Sequence, residues 1–424
     1  MEKVLAIVMA GGAGERLQPL TRSRSKASVP FAGKYRLIDL TLSNCVNSGI
    51  RRIFVLTQYL SESLNFHIQD GWSISGSGLG DFIYTVPAQQ KLGAVWYRGT
   101  ADAVRQNLNL MLNREIEDVV ILSGDHVYKM DYLKYLYYHR SRGAGLTVSA
   151  VRVPVTDAAR RLGVLEVDPD YRLIGFEEKP ENPKPLPDNP NYAFGSMGIY
   201  MFKLKSLIDI LNRSEGMDFG NEIIPEMIKS DNSVYTYDFE KENAIEDFEI
   251  RVKNGIREKV LISRTKDSGY WKDVGTIDSF FDASMDLVSV DPSFSLYGTR
   301  WPLRTFQRQI PPTKCILGGR ISDSIVSEGC IISGGSVEQS ILSPNIIEAR
   351  DAQLYQSVVF EDALIEPGAR VRRAIIDKEC RIMSGASIGY DAAADQARGC
   401  SVSPRGITVV PKGMIIGRYE PALL

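Results

Sequence analysis

The 424-residue sequence predicts an α/β layered domain followed by a parallel β-helix. Three observations predict it. An apolar, branched run from Val4 to Ala10 stops at paired glycines, as a buried parallel strand does. Up to about residue 290, short apolar runs such as Arg52 to Thr57, Val119 to Leu122 and Leu146 to Val153 alternate with amphipathic stretches. Beyond residue 313 the pattern becomes short apolar steps separated by Gly, Ser, Asp and Glu.

In chain order, the first strand leads into Gly11-Gly12-Ala13-Gly14-Glu15-Arg16-Leu17, with Lys26 beyond. Glycines here let the backbone take positive φ and approach a ligand, so that amides face phosphate oxygens at the positive end of the following helix. A glycine turn alone would equally suit a plain strand-to-helix connection; Arg16 and Lys26 make it a triphosphate cradle. It is neither of the two best-known phosphate loops. The dinucleotide fingerprint needs glycine where Leu17 stands, and the P-loop needs Ser or Thr where Tyr35 follows Gly33-Lys34.

The segment 291–312 is dense in proline and aromatics (Asp291-Pro292, Trp301-Pro302, Pro311-Pro312) and cannot continue a helix or a central strand. It reads as a linker between domains at 1–290 and 313–424. Past it, apolar residues at Ile346, Ala352, Val358 and Leu364 and, after a slip to Val371, at Ile376, Ile382 and Ile388 recur every six residues. That is the mark of a β-helix, whose hexapeptides each form one side of a coil; helices are not expected there.

Bulk properties narrow the class. A formal net charge of −2 gives no general attraction to nucleic acid or anionic lipid, so neither partner is expected and phosphate binding must be local. Five scattered cysteines without a CxxC pair argue against a disulfide framework or a zinc site and fit a reducing cytoplasm. The apolar run after Lys3 is needed as the first strand, so no targeting segment is expected.

Chemistry gathers at two aspartates. Asp125, in Ser123-Gly124-Asp125-His126, lies just past a buried strand, where open α/β sheets bind ligands. Asp273 sits in Tyr270-Trp271-Lys272-Asp273-Val274-Gly275-Thr276. Two carboxylates plus triphosphate oxygens are the hard donors that Mg²⁺ prefers. Lys179, in Glu177-Glu178-Lys179-Pro180, can project as a point charge for a sugar phosphate. A sugar phosphate has its second pKa near about 6 and needs no base, so His126 reads as structural.

These motifs, with Pro87-Ala-Gln-Gln90, Trp96-Tyr-Arg-Gly-Thr-Ala-Asp-Ala103 and Ser196-Met-Gly-Ile-Tyr200, resemble the ADP-glucose pyrophosphorylase (glucose-1-phosphate adenylyltransferase) family over nearly the whole chain. The resemblance implies a Rossmann-like, GT-A-like nucleotidyltransferase domain with a mixed sheet, then a C-terminal left-handed parallel β-helix. It implies ATP binding by Ala10, Gly11, Gly12, Gly14, Arg16, Lys26, Gln89, Gly99 and Thr100, with Gln89 at the adenine. It places glucose 1-phosphate on Tyr97, Gly163, Glu178, Lys179 and Ser196, and Mg²⁺ on Asp125 and Asp273. Arg16, Lys26, Asp125, Lys179 and Asp273 form the implied catalytic set, in a homotetramer.

Departures fall mainly on regulation. Ala27 replaces the family's proline after Lys26, Phe66 stands where many members carry a basic residue, and Ser23 replaces a cation. The family captures a small anionic effector, a sugar phosphate or phosphate, between its domains. Arg24, Arg36, Arg405 and Lys412 are the candidates by position. Rival readings are a pyrophosphorylase using UTP, dTTP or GTP and a non-catalytic regulatory subunit. Acyl transfer by the β-helix is disfavoured, since all three histidines (His67, His126, His139) precede it.

Overall fold

A computed structural model describes residues 3–73, 80–89, 96–112, 115–230, 233–253 and 256–417. Gln90 of the motif above and residues 418–424 of the C-terminal domain lie outside these. Val4–Ala10 is the central strand of a nine-stranded sheet, parallel to Arg52–Thr57 on one side and Asp118–Ser123 on the other. Its side chains are buried on both faces, which is why it reads as an unbroken apolar run and not as an alternation. Phe82–Pro87 extends the parallel half.

The sheet is mixed because Tyr192–Lys203, a twelve-residue strand, runs antiparallel to Asp118–Ser123 and to Leu146–Pro154. Gly163–Val167 and Leu173–Glu178 complete that edge. The long strand slips register between Ser196 and Tyr200, with Gly198 at φ 66°. The bulge falls at the ligand-binding end of the sheet, where such irregularities re-aim side chains.

After the helix Ile277–Leu287 no helix or strand occurs until Lys314. This stretch is strapped to the helix Leu37–Asn47: Trp301 Nε1 donates to Asn44 Oδ1 (2.9 Å), the Arg304 amide to Ser43 Oγ (2.9 Å) and Thr305 Oγ1 to Asp39 Oδ2 (2.7 Å). Beyond it, three sheets of short strands, parallel except for a last antiparallel pair of Ser401–Val402 with Thr408–Val410, wind as a β-helix.

The coil does not keep the six-residue step. Stacked partners lie sixteen or seventeen residues apart, as in Ile325 to Ile341 and Ile347 to Leu364, where three hexapeptides would require eighteen. Leu364 is therefore not the inward residue; Ala363 and Ile365 fill the core on either side of it. A helix, Ala392–Ala397, also interrupts the coil. Asp391 caps it, and this excursion doubles the separation between the stacked partners Arg381 and Ile415. Three alanines in a row, Ala392 to Ala394, offered no amphipathic stripe by which it could be read.

One face of the β-helix packs on the N-terminal α/β domain. Ile341, Val358, Phe360, Ile375 and Val409 share a core with Leu17, Val29, Phe31 and Phe280, and the rings of Phe280 and Phe360 meet edge to face at 6.2 Å. Across the same seam Arg24 Nη1 lies 2.8 Å from Asp377 Oδ1, both side chains almost wholly buried.

Inside the β-helix, Glu348 is fully buried and neither carboxyl oxygen has a protein partner. It occupies the space left by Gly335, where a Cβ would come within 2.4 Å of its Cδ. Burial pushes its pKa up to about 8, opposed by the nearby Ser336 amide. The folded state therefore keeps a proton that the unfolded chain releases near 4.5. The resulting stability is complete below pH 4.5 and is lost as pH rises through 8. Glu348→Gln removes the titration. Its unfolding constant relative to wild type should fall about tenfold per pH unit across that window and then level off. Urea unfolding from pH 5 to 9 checks this; a pH-independent difference would show that the core carries no neutral carboxyl.

Candidate active site

The loop after the first strand opens onto a cavity of about 690 Å³. Only Gly14 uses left-handed backbone, at φ 64°; Gly11 and Gly12 do not, contrary to the expectation for all three. Their lack of a side chain serves space instead. A Cβ on Gly11 would press on Gln58 Cβ at 3.2 Å, and the side-chain position of Gly12 is open. The following helix, Glu15–Leu17, is a single 3-10 turn, so the anion-attracting feature is the row of loop amides more than a helix end.

Lys26 rises from a second 3-10 turn, Lys26–Ser28. Asp125 follows the strand Asp118–Ser123, and Asp273 ends Trp271–Asp273, which pairs antiparallel with His126–Tyr128 so that Asp273 faces His126. This pairing brings together two carboxylates distant in sequence. Lys26 Nζ sits between them, 2.9 Å from Asp125 Oδ2 and 3.0 Å from Asp273 Oδ1. Arg16 Nη2 stands 4.0 Å from Asp273 Oδ2, with most of its side chain exposed to the cavity mouth. The Ser123 hydroxyl donates to Asp125 Oδ1.

Burial alone would raise both aspartate pKa values, but the charge of Lys26, aided by His126, holds them below the usual carboxylate range. The same carboxylates outweigh the burial of Lys26 and raise its pKa. All three groups are therefore charged at neutral pH. Among the described residues no group of three or more His, Cys, Asp or Glu is placed to hold a metal.

A second cavity, of about 250 Å³, adjoins the first, and Thr100 and Asp218 line both. Thr100 Oγ1 donates to Asp218 Oδ2 (2.9 Å) and accepts from the Phe219 amide (3.0 Å). Gly99 allows this junction: a Cβ there would lie 2.3 Å from the Met217 carbonyl oxygen, which takes the Ala101 amide at 2.8 Å. Gly163, Glu178, Ser196 and Asp273 line the smaller cavity. At Gly163 a Cβ would strike Phe176 Cζ (2.5 Å) and Glu178 Oε2 (2.8 Å).

Ala10, Gly11, Gly12, Gly14, Arg16, Lys26, Gly99 and Thr100 thus gather around the larger cavity. Three expected site residues sit elsewhere than their assigned subsite. Tyr97 lines the larger cavity, its amide bonded to Gln58 Oε1 at 2.8 Å. Gln89 is exposed beyond the strand Phe82–Pro87 and lines neither. Lys179, at φ 48°, turns its ammonium to Glu178 Oε1 (3.0 Å) and also lines neither. Gln58 and Asp218 were missed. Gln58 directly follows the carboxyl end of Arg52–Thr57, which the rule for open α/β sheets marks as ligand-binding.

Of the four proposed effector cations, Arg36 and Lys412 meet in a third cavity, about 570 Å³, between the domains. Lys34, Arg308 and Lys378 line it too and were not foreseen. Arg36 Nη1 donates to the Ser63 carbonyl (2.7 Å), and Lys412 Nζ lies 3.2 Å from Glu379. Arg24 is committed to Asp377, and Arg405 to Asp282 at 2.5 Å; neither lines this cavity. Phe66 and Ser23 are exposed.

Residues 5–290 match the Nucleotidyl transferase family, and residues 311–410 match the GlmU-like C-terminal hexapeptide family, whose parallel strands wind as a left-handed β-helix. The chain is 44% identical to a glucose-1-phosphate adenylyltransferase of an Anaeromyxobacter species, covering 99% of this chain and all of that protein. It is 43% identical to that of Rhodopirellula baltica (98% and 91% covered) and 42% identical to that of Cutibacterium acnes (98% of each). Three independent signals thus agree: the loop-and-carboxylate cavity, the β-helix behind it, and full-length identity above 40%. The chain belongs to the glucose-1-phosphate adenylyltransferase family of nucleotidyltransferases.

Proposed function

We propose that this chain transfers an adenylyl group from ATP to glucose 1-phosphate, forming ADP-glucose and pyrophosphate for α-glucan (glycogen) synthesis. The observation that carries this is the Asp125–Lys26–Asp273 cluster at the join of a large and a small cavity, one sized for a nucleotide and the other for a hexose phosphate. The loop amides and Arg16 hold the triphosphate; the smaller cavity, through Glu178 and Ser196, holds the sugar. The phosphate oxygen of the sugar is already ionised, so positioning and charge neutralisation make up most of the catalysis.

Asp125 and Asp273 fit Mg²⁺: both are ionised, both present hard oxygens, and both border the cavities. A bound Mg²⁺ would neutralise charge building between the α-phosphate and the leaving pyrophosphate. Lys26 orients the pair by holding one oxygen of each carboxylate.

The third cavity, with Arg36, Lys34, Lys378 and Lys412, suits a small anionic effector. Exposed apolar residues on one outer β-helix sheet, Ile347 beside the half-buried Leu364 and Ile415 beyond Arg381, suit assembly into a homotetramer. No helix among the described residues is long and apolar enough to cross a membrane. Five scattered cysteines without a CxxC pair suit a reducing cytoplasm.

Pyrophosphate release should be fastest with ATP and glucose 1-phosphate among four nucleotides and several hexose 1-phosphates. Preference for another nucleotide would reassign the base pocket, and no turnover with any pair would make the chain a regulatory subunit. Asp125→Asn should lower kcat by about a hundredfold to a thousandfold while leaving the thermal midpoint within a few degrees of wild type; near-normal activity with Mg²⁺ would refute the metal role. Triose, hexose or inorganic phosphate should change the saturation curves, and Arg36→Ala should abolish that response. Curves indifferent to all of them would rule out the effector site.

A further inference from the structure

Among the described residues Arg161 is the only Arg or Lys on the wall of the smaller cavity, and its guanidinium has no carboxylate partner there. Three carboxylates, Glu178, Asp218 and Asp273, border the same space. Bringing a phosphate dianion among them is repulsive unless a cation is free to meet it. Of the other nearby cations, Lys26 spans Asp125 and Asp273, Arg16 stands 4.0 Å from Asp273 at the mouth of the larger cavity, and Lys179 is paired with Glu178 off the cavity wall.

The local backbone explains how Arg161 is aimed. Its loop is clamped to the Glu178-Lys179-Pro180 turn by two hydrogen bonds, Arg160 N to the Pro180 carbonyl (2.9 Å) and Lys179 N to the Leu162 carbonyl (3.1 Å). Arg160, at φ 58°, sends its own guanidinium outward to Glu181 at 2.9 Å. The next residue then reaches the cavity, two positions before Gly163 enters the strand opposite Glu178. A pair of adjacent arginines that reads as ordinary surface charge is thus split into one structural and one unspent cation.

We propose that Arg161 binds the phosphate of the hexose 1-phosphate, its forked donors adding a cation on the wall of the smaller cavity itself. This rests on the adenylyl-transfer reading above. The residue is exposed and on a loop, so truncation leaves the fold intact. In the full-length protein, Arg161→Ala should raise the KM for glucose 1-phosphate about tenfold or more, with KM for ATP and kcat within about twofold of wild type. Arg161→Lys should recover part of the loss, since a point charge keeps the attraction without the fork, and the gap between Arg161→Ala and wild type should narrow as salt is raised. An unchanged KM for the sugar phosphate, or an equal rise for ATP, would overturn the assignment while leaving the reaction standing. A wild type that uses no hexose 1-phosphate would sink the reaction and this inference together.

Discussion

The architecture turns on one ammonium shared by two carboxylates. Asp125 and Asp273 are brought side by side by an antiparallel pairing of two three-residue strands, and without a counter-ion their mutual repulsion in a buried setting would push one of them to take a proton. Lys26 prevents this. It is carried on the loop that also builds the triphosphate cradle, so the charge that keeps the aspartates ionised is tied to the segment that receives the nucleotide. A group with a raised pKa and two with depressed ones are here a single electrostatic unit, and the energetic cost of burying each is offset only while all three are present.

The β-helix supports that unit from behind. Leu17 and Val29, which flank the cradle, pack into the same core as Ile341, Val358 and Ile375 of the β-helix, and Arg24, two residues before Lys26, is buried against Asp377. Arg24 and Asp377 each also leave one polar atom without a partner at this seam. Breaking this pair would strand a buried charge near the nucleotide loop, so Arg24 reads as a structural pin between domains and not as a surface cation waiting for an effector.

Much of this was legible in the chain. The strands around Val4, Arg52 and Val119 stand where the apolar runs are, because burial on both faces leaves no polar alternation to confuse the period, and the strand from Leu146 stands where its run is although Thr147 and Ser149 interrupt it. The Asp125 and Asp273 partnership was legible as chemistry, though only strand pairing makes it geometry. What was hidden depends on contacts between distant segments. Asp218 becomes a wall residue only because Thr100 bonds it across 118 positions. Lys179 was placed in the crevice by its charge and by the family resemblance, neither of which shows the left-handed backbone that turns it toward Glu178. The β-helix class was readable, whereas its inward positions were not: coils of sixteen or seventeen residues shift the phase that a strict hexapeptide would keep.

The third cavity and the aspartate cluster are joined through one helix. Asp39 in Leu37–Asn47 accepts from the Arg36 amide (2.8 Å), Trp72 Nε1 (2.8 Å) and Thr305 Oγ1 (2.7 Å), and lies 2.7 Å from His67 Nε2. A buried carboxylate with so many partners is rigid, because losing any one leaves an unpaired polar group in the interior. Five residues along, Asn44 Nδ2 donates to the Tyr128 carbonyl (3.1 Å), on the strand whose partner ends at Asp273. Arg36 and His67 line the interdomain cavity, so an anion drawn to them would load the helix at its first turn, while the helix's far end braces the strand pair that sets the spacing of the two aspartates. The linker is stitched to the same helix by Trp301 and Thr305, which makes the helix the element that both domains and both cavities bear upon.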